Sequence, residues 1–406
     1  MKYVIIGNSA AGIGAVEGIR QVDPEGEITI ITNERHHTYS RPLISYLLLG
    51  KVEEAKMKYR PASFYSDMNC TLLAGTMATG VDAKAKEVIL SDDARVPYDR
   101  LLVATGSSAF VPPIEGLEQV KNRFTFMDLD SALALDKLLD QNSRVLILGS
   151  GLIGLKCAES IVNRTKQVTV LARSPRILTR ILDDDGAKKV QDHLQNMGME
   201  FVLSNTVARF EGNTALLNDG STADFDILVI AMGVHPNVAL LDGIAEIDQA
   251  IIINGKSETS ATDIYAAGDC TQTVDVSDGQ SKIMALLPNA YMQGECAGIN
   301  MAGGEKVFDR VIPMNAVGFF GLQIITAGNY RGEIFAKDSE GSHKRLFYSD
   351  NRLNGYVLIG DVEGAGIYTS IIRERIPLDS IDFALVCERP GLMAFTKEER
   401  TAKLGS

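Results

Sequence analysis

The residues best placed to do chemistry in this chain of 406 residues are glycines. Val145 to Glu159 reads VLILGSGLIGLKCAE, an apolar run suited to a buried strand that enters G-x-G-x-x-G at Gly149, Gly151 and Gly154. A helix-like segment beginning Leu152-Ile153 follows at once. The three glycines do different things. The first permits the tight turn, the second lets backbone approach a pyrophosphate, and the third lets helix and strand pack closely. Free N–H groups at the helix start face the anion. The expected chemistry is dinucleotide binding, against the alternative of a tight strand-helix turn that binds nothing.

A weaker copy of the motif opens the chain. Lys2 to Gly7 reads as a short apolar strand, Gly7-Asn8-Ser9-Ala10-Ala11-Gly12 as a glycine turn with Ser9 in place of the middle glycine, and Ile13 to Val22 as helix. Serine is small enough to admit a phosphate. Glu27 to Thr32 is the next strand, closed by Glu34 at about the distance where a carboxylate accepts hydrogen bonds from a ribose; the alternative is an ordinary surface carboxylate. His36-His37 lacks the neighbouring carboxylate or cysteine cluster of a metal site, so no metal is expected. Arg41 could make bidentate contacts to phosphate, and Pro42 could hold a loop against a flat ligand.

The remaining elements position these turns. Met68 to Leu90 supplies two strand-like runs, and YDRLLVATG from Tyr98 ends in the small residues Ala104-Thr105-Gly106. Phe110 to Gly116 reads as a connection, and a second unit starts near Phe124. Ser131 to Leu139 and Asp183 to Met197 read as helices, Gln167 to Leu171 and Glu200 to Leu203 as strands, and Ala208 to Leu217 as a hairpin. Where a ribose-binding carboxylate would stand, the chain has Ala172-Arg173-Ser174-Pro175-Arg176, a tilt toward a phosphorylated dinucleotide unless both arginines are merely solvated. DILVIAMG, ending at Gly233, repeats DRLLVATG, ending at Gly106, an internal echo that two related nucleotide-binding units would require.

TDIYAAGD ends in Gly268-Asp269, where a carboxylate could accept hydrogen bonds from a polyol. Pro288 to Asn300 is a small-residue helix suited to packing on a rigid ring system or, equally, on another helix. From Val311 the texture changes to successive strands with Gly, Asn and Asp turns, then a helix over Ile367 to Arg375. Pro377 to Phe383 and the charged end from Lys397 read as peripheral.

The formal charge of −12 argues against an extended nucleic-acid surface. Five scattered cysteines, none in CxxC, form neither a disulfide framework nor a local metal cluster and point to a reduced, cytoplasmic compartment. The apolar N-terminus fits a strand and helix of mature protein better than a secretion signal, and no membrane span is expected.

Together these motifs resemble the FAD-dependent pyridine nucleotide-disulfide oxidoreductase superfamily over roughly the first three quarters of the chain. The resemblance implies an α/β fold with two Rossmann-like domains for FAD and NAD(P)H and a smaller C-terminal α+β domain. Residues 1–115 and 243–310 would form the FAD domain, 116–242 the NAD(P)H domain inserted within it, and 311–406 the C-terminal domain. It assigns Gly7, Ser9, Ala11 and Gly12 to the FAD pyrophosphate, Glu34 to the adenosine ribose, Arg41 and Pro42 to the loop near the flavin, and Asp269 to the ribityl chain.

Departures narrow the choice. Disulfide-reducing members use a cysteine pair beside the flavin, and some oxidases, peroxidases and coenzyme A disulfide reductases a single one; this chain has YSRPLISY with Pro42 about there. It is more similar to rubredoxin reductases, ferredoxin reductases and nitrite reductase flavoproteins, some relatives of which serve as subunits of iron-sulfur or tungsten oxidoreductases. Relatives often place a lysine near Tyr46 and a glutamate near Lys156; that pair does not transfer, although Lys156 stays a candidate near the flavin with Glu159 as its local partner. The expected function is hydride transfer between NAD(P)H and FAD and electron delivery to a rubredoxin, ferredoxin or iron-sulfur partner. The alternatives are an NAD(P)H oxidase using oxygen and a nucleotide-responsive flavoprotein that acts mainly through protein interaction.

Overall fold

The computed structural model describes residues 1–392 together with Phe395 and Arg400. The chain forms two compact units: Met1–Ser108 with Val234–Asp275 and Gly279–Val311, and Ala109–Gly233 with Val276–Asp278 and Ile312–Ser406.

The first unit is built on a parallel sheet in the order Ile264–Ala266, Arg100–Val103, Lys2–Ile6, Glu27–Thr32, Cys70–Ala74. These strands are apolar on both faces because both are covered. Helices Ala10–Val22 and Leu287–Met301 pack on the face of Ile5, which is aligned with Ile30 and Leu102 and fully buried, and the antiparallel strands Ala78–Asp82 and Glu87–Leu90 pack on the face of Val4 and Ile31. Helix Ala10–Val22 lies along helix Leu287–Met301. Their separation is set by glycine: a Cβ on Gly14 or Gly18 would come within 2.4 Å of the Tyr291 or Glu295 carbonyl oxygen, and one on Gly294 or Gly298 within 2.0 or 2.2 Å of those of Ala11 and Ala15. The glycines of the small-residue helix therefore serve helix-on-helix contact. Between Met68 and Leu90 the chain makes three strands rather than two, since Ala78–Asp82 pairs antiparallel with Glu87–Leu90.

The second unit repeats the arrangement, with parallel strands in the order Met199–Leu203, Gln167–Ala172, Arg144–Leu148, Ile227–Ile230, Arg123–Phe124. Helices Leu152–Ile161 and Asp184–Asn196 follow its first two long strands. The expected hairpin forms from Val207–Glu211 and Thr214–Leu217 and gains a third strand, Thr222–Asp224.

The C-terminal segment of this unit is a five-stranded antiparallel sheet in the order Met314–Phe319, Leu322–Gly328, Arg352–Ile359, Ser342–Ser349, Glu333–Ser339. Helix Ala365–Arg373 covers it, packing Tyr368 and Ile372 against Tyr356 and Leu358. Pro377 to Phe383 is not peripheral: Leu378 is buried in this core, and the Phe383 ring lies 5.1 Å from that of Tyr348. Apolar side chains in a short, turn-rich segment were hidden among Asp and Ser neighbours. The charged end from Lys397 lies outside the described residues, Arg400 apart.

Candidate functional site

The two glycine turns are the same object built twice. Gly7 has φ +122° and Gly149 φ +112°, backbone that an L side chain resists, and a Cβ on either would sit 2.1 or 2.2 Å from a carbonyl oxygen, Ala104 in one unit and Ala231 in the other. Gly12 and Gly154 stand just inside the helices, where a Cβ would strike the Gly7 or Gly149 oxygen at 2.0 and 2.1 Å. The middle position differs. Gly151 caps helix Leu152–Ile161 with ordinary φ of −81° and open space where a Cβ would be, and Ser9 caps helix Ala10–Val22 without turning its hydroxyl onto the helix. First and third glycines are thus consumed by packing, while the middle position, with Leu152 and Ile153 behind it, is left facing space that a ligand can use.

In the first unit the strand-end residues converge on Asp269. Gly106, φ +66°, has open space at its Cβ position, and Thr105 is fixed by exchange with Asn237: its hydroxyl donates to the Asn237 carbonyl at 2.7 Å, and the Asn237 amide donates back at 3.0 Å. Gly268 donates its N–H to Gln293 Oε1 at 2.9 Å and sits against the methyl groups of Ala11 and Ala290. Burial pushes the Asp269 carboxyl up, against the Ser107 hydroxyl that donates to it at 3.0 Å and the positive charge of Arg41. An anionic carboxylate with one such donor keeps acceptor capacity for hydroxyl groups.

Glu34 and Arg41, assigned by sequence to different parts of one ligand, are ion-paired, and the Tyr39 hydroxyl donates to the other Glu34 oxygen at 2.7 Å. Arg41 also lies over the Tyr39 ring, 5.3 Å from its centroid. Pro42 caps the short helix Leu43–Leu48. Residues that sequence reasoning missed tie this loop to the glycine turn: Tyr65 donates to Asn8 Oδ1 at 2.8 Å and accepts from the Thr38 N–H at 3.1 Å. Among the described residues His37 Nε2, Thr38 Oγ1 and Asn289 Nδ2 are buried with no hydrogen-bond partner. Only unpaired polar atoms signal them, and those are visible only in three dimensions.

In the second unit Gly233, φ +115°, is open at its Cβ position beside the second turn, as Gly106 is in the first unit. Arg173 is exposed at the end of strand Gln167–Ala172, whereas Arg176 is committed to Asp184 at 2.7 Å and to the Leu182 carbonyl at 2.6 Å. Lys156 and Glu159 pair as expected. Lys156 also donates to the Gly318 carbonyl at 3.1 Å and lies over the Phe319 ring, while Glu159 accepts from the Phe320 N–H at 2.7 Å. Both charges therefore hold the Phe319-Phe320-Gly321 turn.

None of the five thiols is poised to react. Cys157, Cys270, Cys296 and Cys387 are buried and Cys70 half-buried. Burial pushes all of them up, Cys70 and Cys387 to about 11. Cys270, next to Asp269, lies against the carbonyl oxygens of Val103 and Ala267.

Known proteins share this architecture. Residues 1–294 match the family model described as pyridine nucleotide-disulphide oxidoreductase. The chain is 29% identical over 391 residues to the epsilon subunit of NADH-dependent phenylglyoxylate dehydrogenase from Aromatoleum evansii, spanning 93% of this chain and 92% of that one. It is 32% identical over 325 residues to an NADH oxidase of Methanocaldococcus jannaschii, spanning 77% and 72%. Its fold matches an engineered water-forming NADPH oxidase bound to NADPH, made from the Lactobacillus brevis enzyme, with TM-score 0.85 at 22% identity over 94% of this chain and 92% of that one. No helix among the described residues is long and apolar enough to cross a membrane. The paired glycine turns, the half-buried carboxylate and the family match together make this an oxidoreductase dependent on FAD and NAD(P)H, and the chain belongs to the pyridine nucleotide-disulphide oxidoreductase family.

Proposed function

We propose that this chain takes electrons from NAD(P)H and passes them to a separate one-electron carrier, a rubredoxin, a ferredoxin or an iron-sulfur subunit of a larger oxidoreductase. The observation that carries this reading is the loop at Tyr39 to Tyr46, where Pro42 caps a helix and no thiol is present, while the chain's five cysteines are buried or half-buried with raised thiols. A thiolate exit is closed. The likeness along almost its whole length to a subunit of a multisubunit dehydrogenase supports delivery to protein; the likeness to an NADH oxidase supports oxygen as the second reading.

In this reading Gly7, Ser9, Ala11 and Gly12 receive the FAD pyrophosphate and Glu34 its adenosine ribose, with Arg41 and Pro42 shaping the loop beside the flavin. Ala104, Thr105, Gly106 and Gly268 clear space on the strand ends, and Asp269 accepts hydrogen bonds from the ribityl hydroxyls. The buried, unpaired Thr38 hydroxyl and Asn289 amide leave polar atoms that a ligand could satisfy. FAD, when bound, supplies the centre that accepts a hydride from nicotinamide and releases its two electrons singly.

The second turn, Gly149, Gly151 and Gly154 with Leu152 and Ile153, receives the nicotinamide dinucleotide, and Gly233 keeps the opposite strand end clear. Arg173, exposed and with no carboxylate between it and Leu182, favours a 2′-phosphate. The NADPH-bound variant places Ala-Arg-Ser at three consecutive positions, the first eighteen residues after an altered glycine, and here Ala172-Arg173-Ser174 stands at that spacing from Gly154. Lys156 acts through the turn it holds. The free thiols suit a reduced, cytoplasmic compartment. Acceptor preference of the NAD(P)H-reduced holoenzyme, measured by stopped-flow mixing, tests the reading: a one-electron protein should outrun oxygen, and a disulfide should not be reduced.

A further inference from the structure

We propose that Tyr330, His343 and Arg345 of the C-terminal sheet are positioning residues for the nicotinamide dinucleotide, because they anchor the loop from Arg173 to Leu182 that selects it. The proposal rests on the assignment of the second glycine turn to that dinucleotide.

The loop has no regular secondary structure of its own, and Leu178 within it is in the left-handed region at φ +50°. Inside it the Ile181 and Leu182 N–H groups donate to the Leu178 carbonyl at 2.9 and 3.1 Å, closing a turn whose placement is set by attachments from outside. On the near side the Leu178 N–H donates to the Ser150 carbonyl at 3.0 Å, inside the glycine turn, and the Ser204 N–H donates to the Ser174 carbonyl at 3.1 Å. On the far side the attachments come from the C-terminal sheet. The Tyr330 hydroxyl donates to the Ile181 carbonyl at 2.7 Å, its ring resting on Phe347 at 4.9 Å. His343, 2% exposed, points Nε2 at the Asp183 carboxylate, at 2.9 and 3.1 Å, and Nδ1 at Asp338, at 2.8 Å.

Both ring nitrogens of His343 therefore lie at hydrogen-bond distance from carboxylates, linking Asp183 at the end of the loop to Asp338 of the sheet. Arg345 completes the set, reaching Asp338 at 2.8 Å, Asp185 at 3.3 Å and Asp183 at 3.7 Å. There is no slack beside it: a Cβ on Gly186 would lie 2.7 Å from Asp183 Oδ1 and 3.2 Å from His343 Nε2. Few residues separate Leu178 from Asp183, so displacement of Ile181 or Asp183 moves the segment that touches the glycine turn and carries Arg173. Misplacing a binding group by about 1 Å is enough to cost affinity.

The test uses oxidised holoenzyme titrated calorimetrically with NADP⁺, NAD⁺ and adenosine 2′,5′-bisphosphate, for wild type, Tyr330→Phe and Asp338→Asn. Each variant is expected to weaken dinucleotide and fragment binding roughly fivefold, the scale of one buried hydrogen bond. Flavin content and the rate of flavin reduction at saturating dinucleotide stay at wild-type values, a split between binding and turnover that a merely structural loss would not produce. Equal affinities in wild type and both variants would overturn the anchoring. Failure of wild type to bind any of the three would overturn it together with the assignment of the turn. Should Tyr330→Phe fail to retain flavin, Asp338→Asn, at a half-exposed side chain, decides alone.

Discussion

Arg41 is ion-paired with Glu34, seven residues earlier, and Tyr39 closes the arrangement by donating to the second carboxylate oxygen at 2.7 Å. The pair folds the loop after the second strand back on that strand's end and leaves the charge of Arg41 close enough to act on Asp269. One guanidinium thus holds Glu34 and adds its charge to the surroundings of Asp269, two carboxylates proposed to face different parts of FAD. Arg41→Ala is expected to raise the FAD dissociation constant about tenfold, on the order of 1.4 kcal/mol. Fluorescence titration of deflavinated protein measures it, and an unchanged constant would remove Arg41 from the site.

The glycines of each turn divide into those that serve packing and those that serve a ligand. Gly149→Ala forces a Cβ to 2.2 Å from the Ala231 oxygen at positive φ, and a loss of stability of about 2 kcal/mol or more is expected. Gly151→Ala meets nothing and keeps an allowed φ, so its melting temperature should stay near wild type while dinucleotide affinity falls. Thermal melts beside a dinucleotide titration distinguish the two; equal destabilisation by both variants would contradict the division.

Much of this was legible in the sequence, for a physical reason. Strand, turn and helix of each nucleotide unit are contiguous, so Gly7 to Gly12 and Gly149 to Gly154 show their geometry in residue order, and the DRLLVATG and DILVIAMG echo shows the strand each turn rests on. What depends on distant partners was hidden. Nothing local indicates that Tyr65 reaches Asn8, that Gly294 and Gly298 clear space for helix Ala10–Val22, or that His343 meets Asp183, 160 residues away. Arg173 and Arg176 look alike in sequence, and their contacts separate them: Arg176 is committed to Asp184 and the Leu182 carbonyl, and Arg173 is exposed.

Acid should weaken the His343 network. Burial would raise the Asp183 carboxyl, but the hydrogen bond and charge of His343 outweigh it and hold it low; Asp338 is held low chiefly by Arg345. A carboxylate lower in the folded than in the unfolded chain contributes stability above the unfolded value, roughly pH 4, and loses it as pH falls through the folded value. Melting temperature should therefore drop below about pH 4, and Asp338→Asn should flatten part of that drop. A variant with an acid limb as steep as wild type would show that Asp338 does not contribute.

Arg173→Glu replaces a phosphate partner with a group that repels it. The ratio of kcat/KM for NADPH to that for NADH should fall at least tenfold, through KM for NADPH. Steady-state kinetics with both cofactors decides, and an unchanged ratio would reject Arg173 as the selecting residue.

The most direct test of the central claim is anaerobic stopped-flow mixing of the holoenzyme, after alkylation with iodoacetamide, first with NAD(P)H and then with a rubredoxin or ferredoxin, with oxygen, or with a disulfide. The account predicts rapid bleaching of the flavin, fast reoxidation by the one-electron protein, slower reoxidation by oxygen, none by the disulfide, and no effect of alkylation. Reoxidation that is fastest with the disulfide and abolished by alkylation would contradict it.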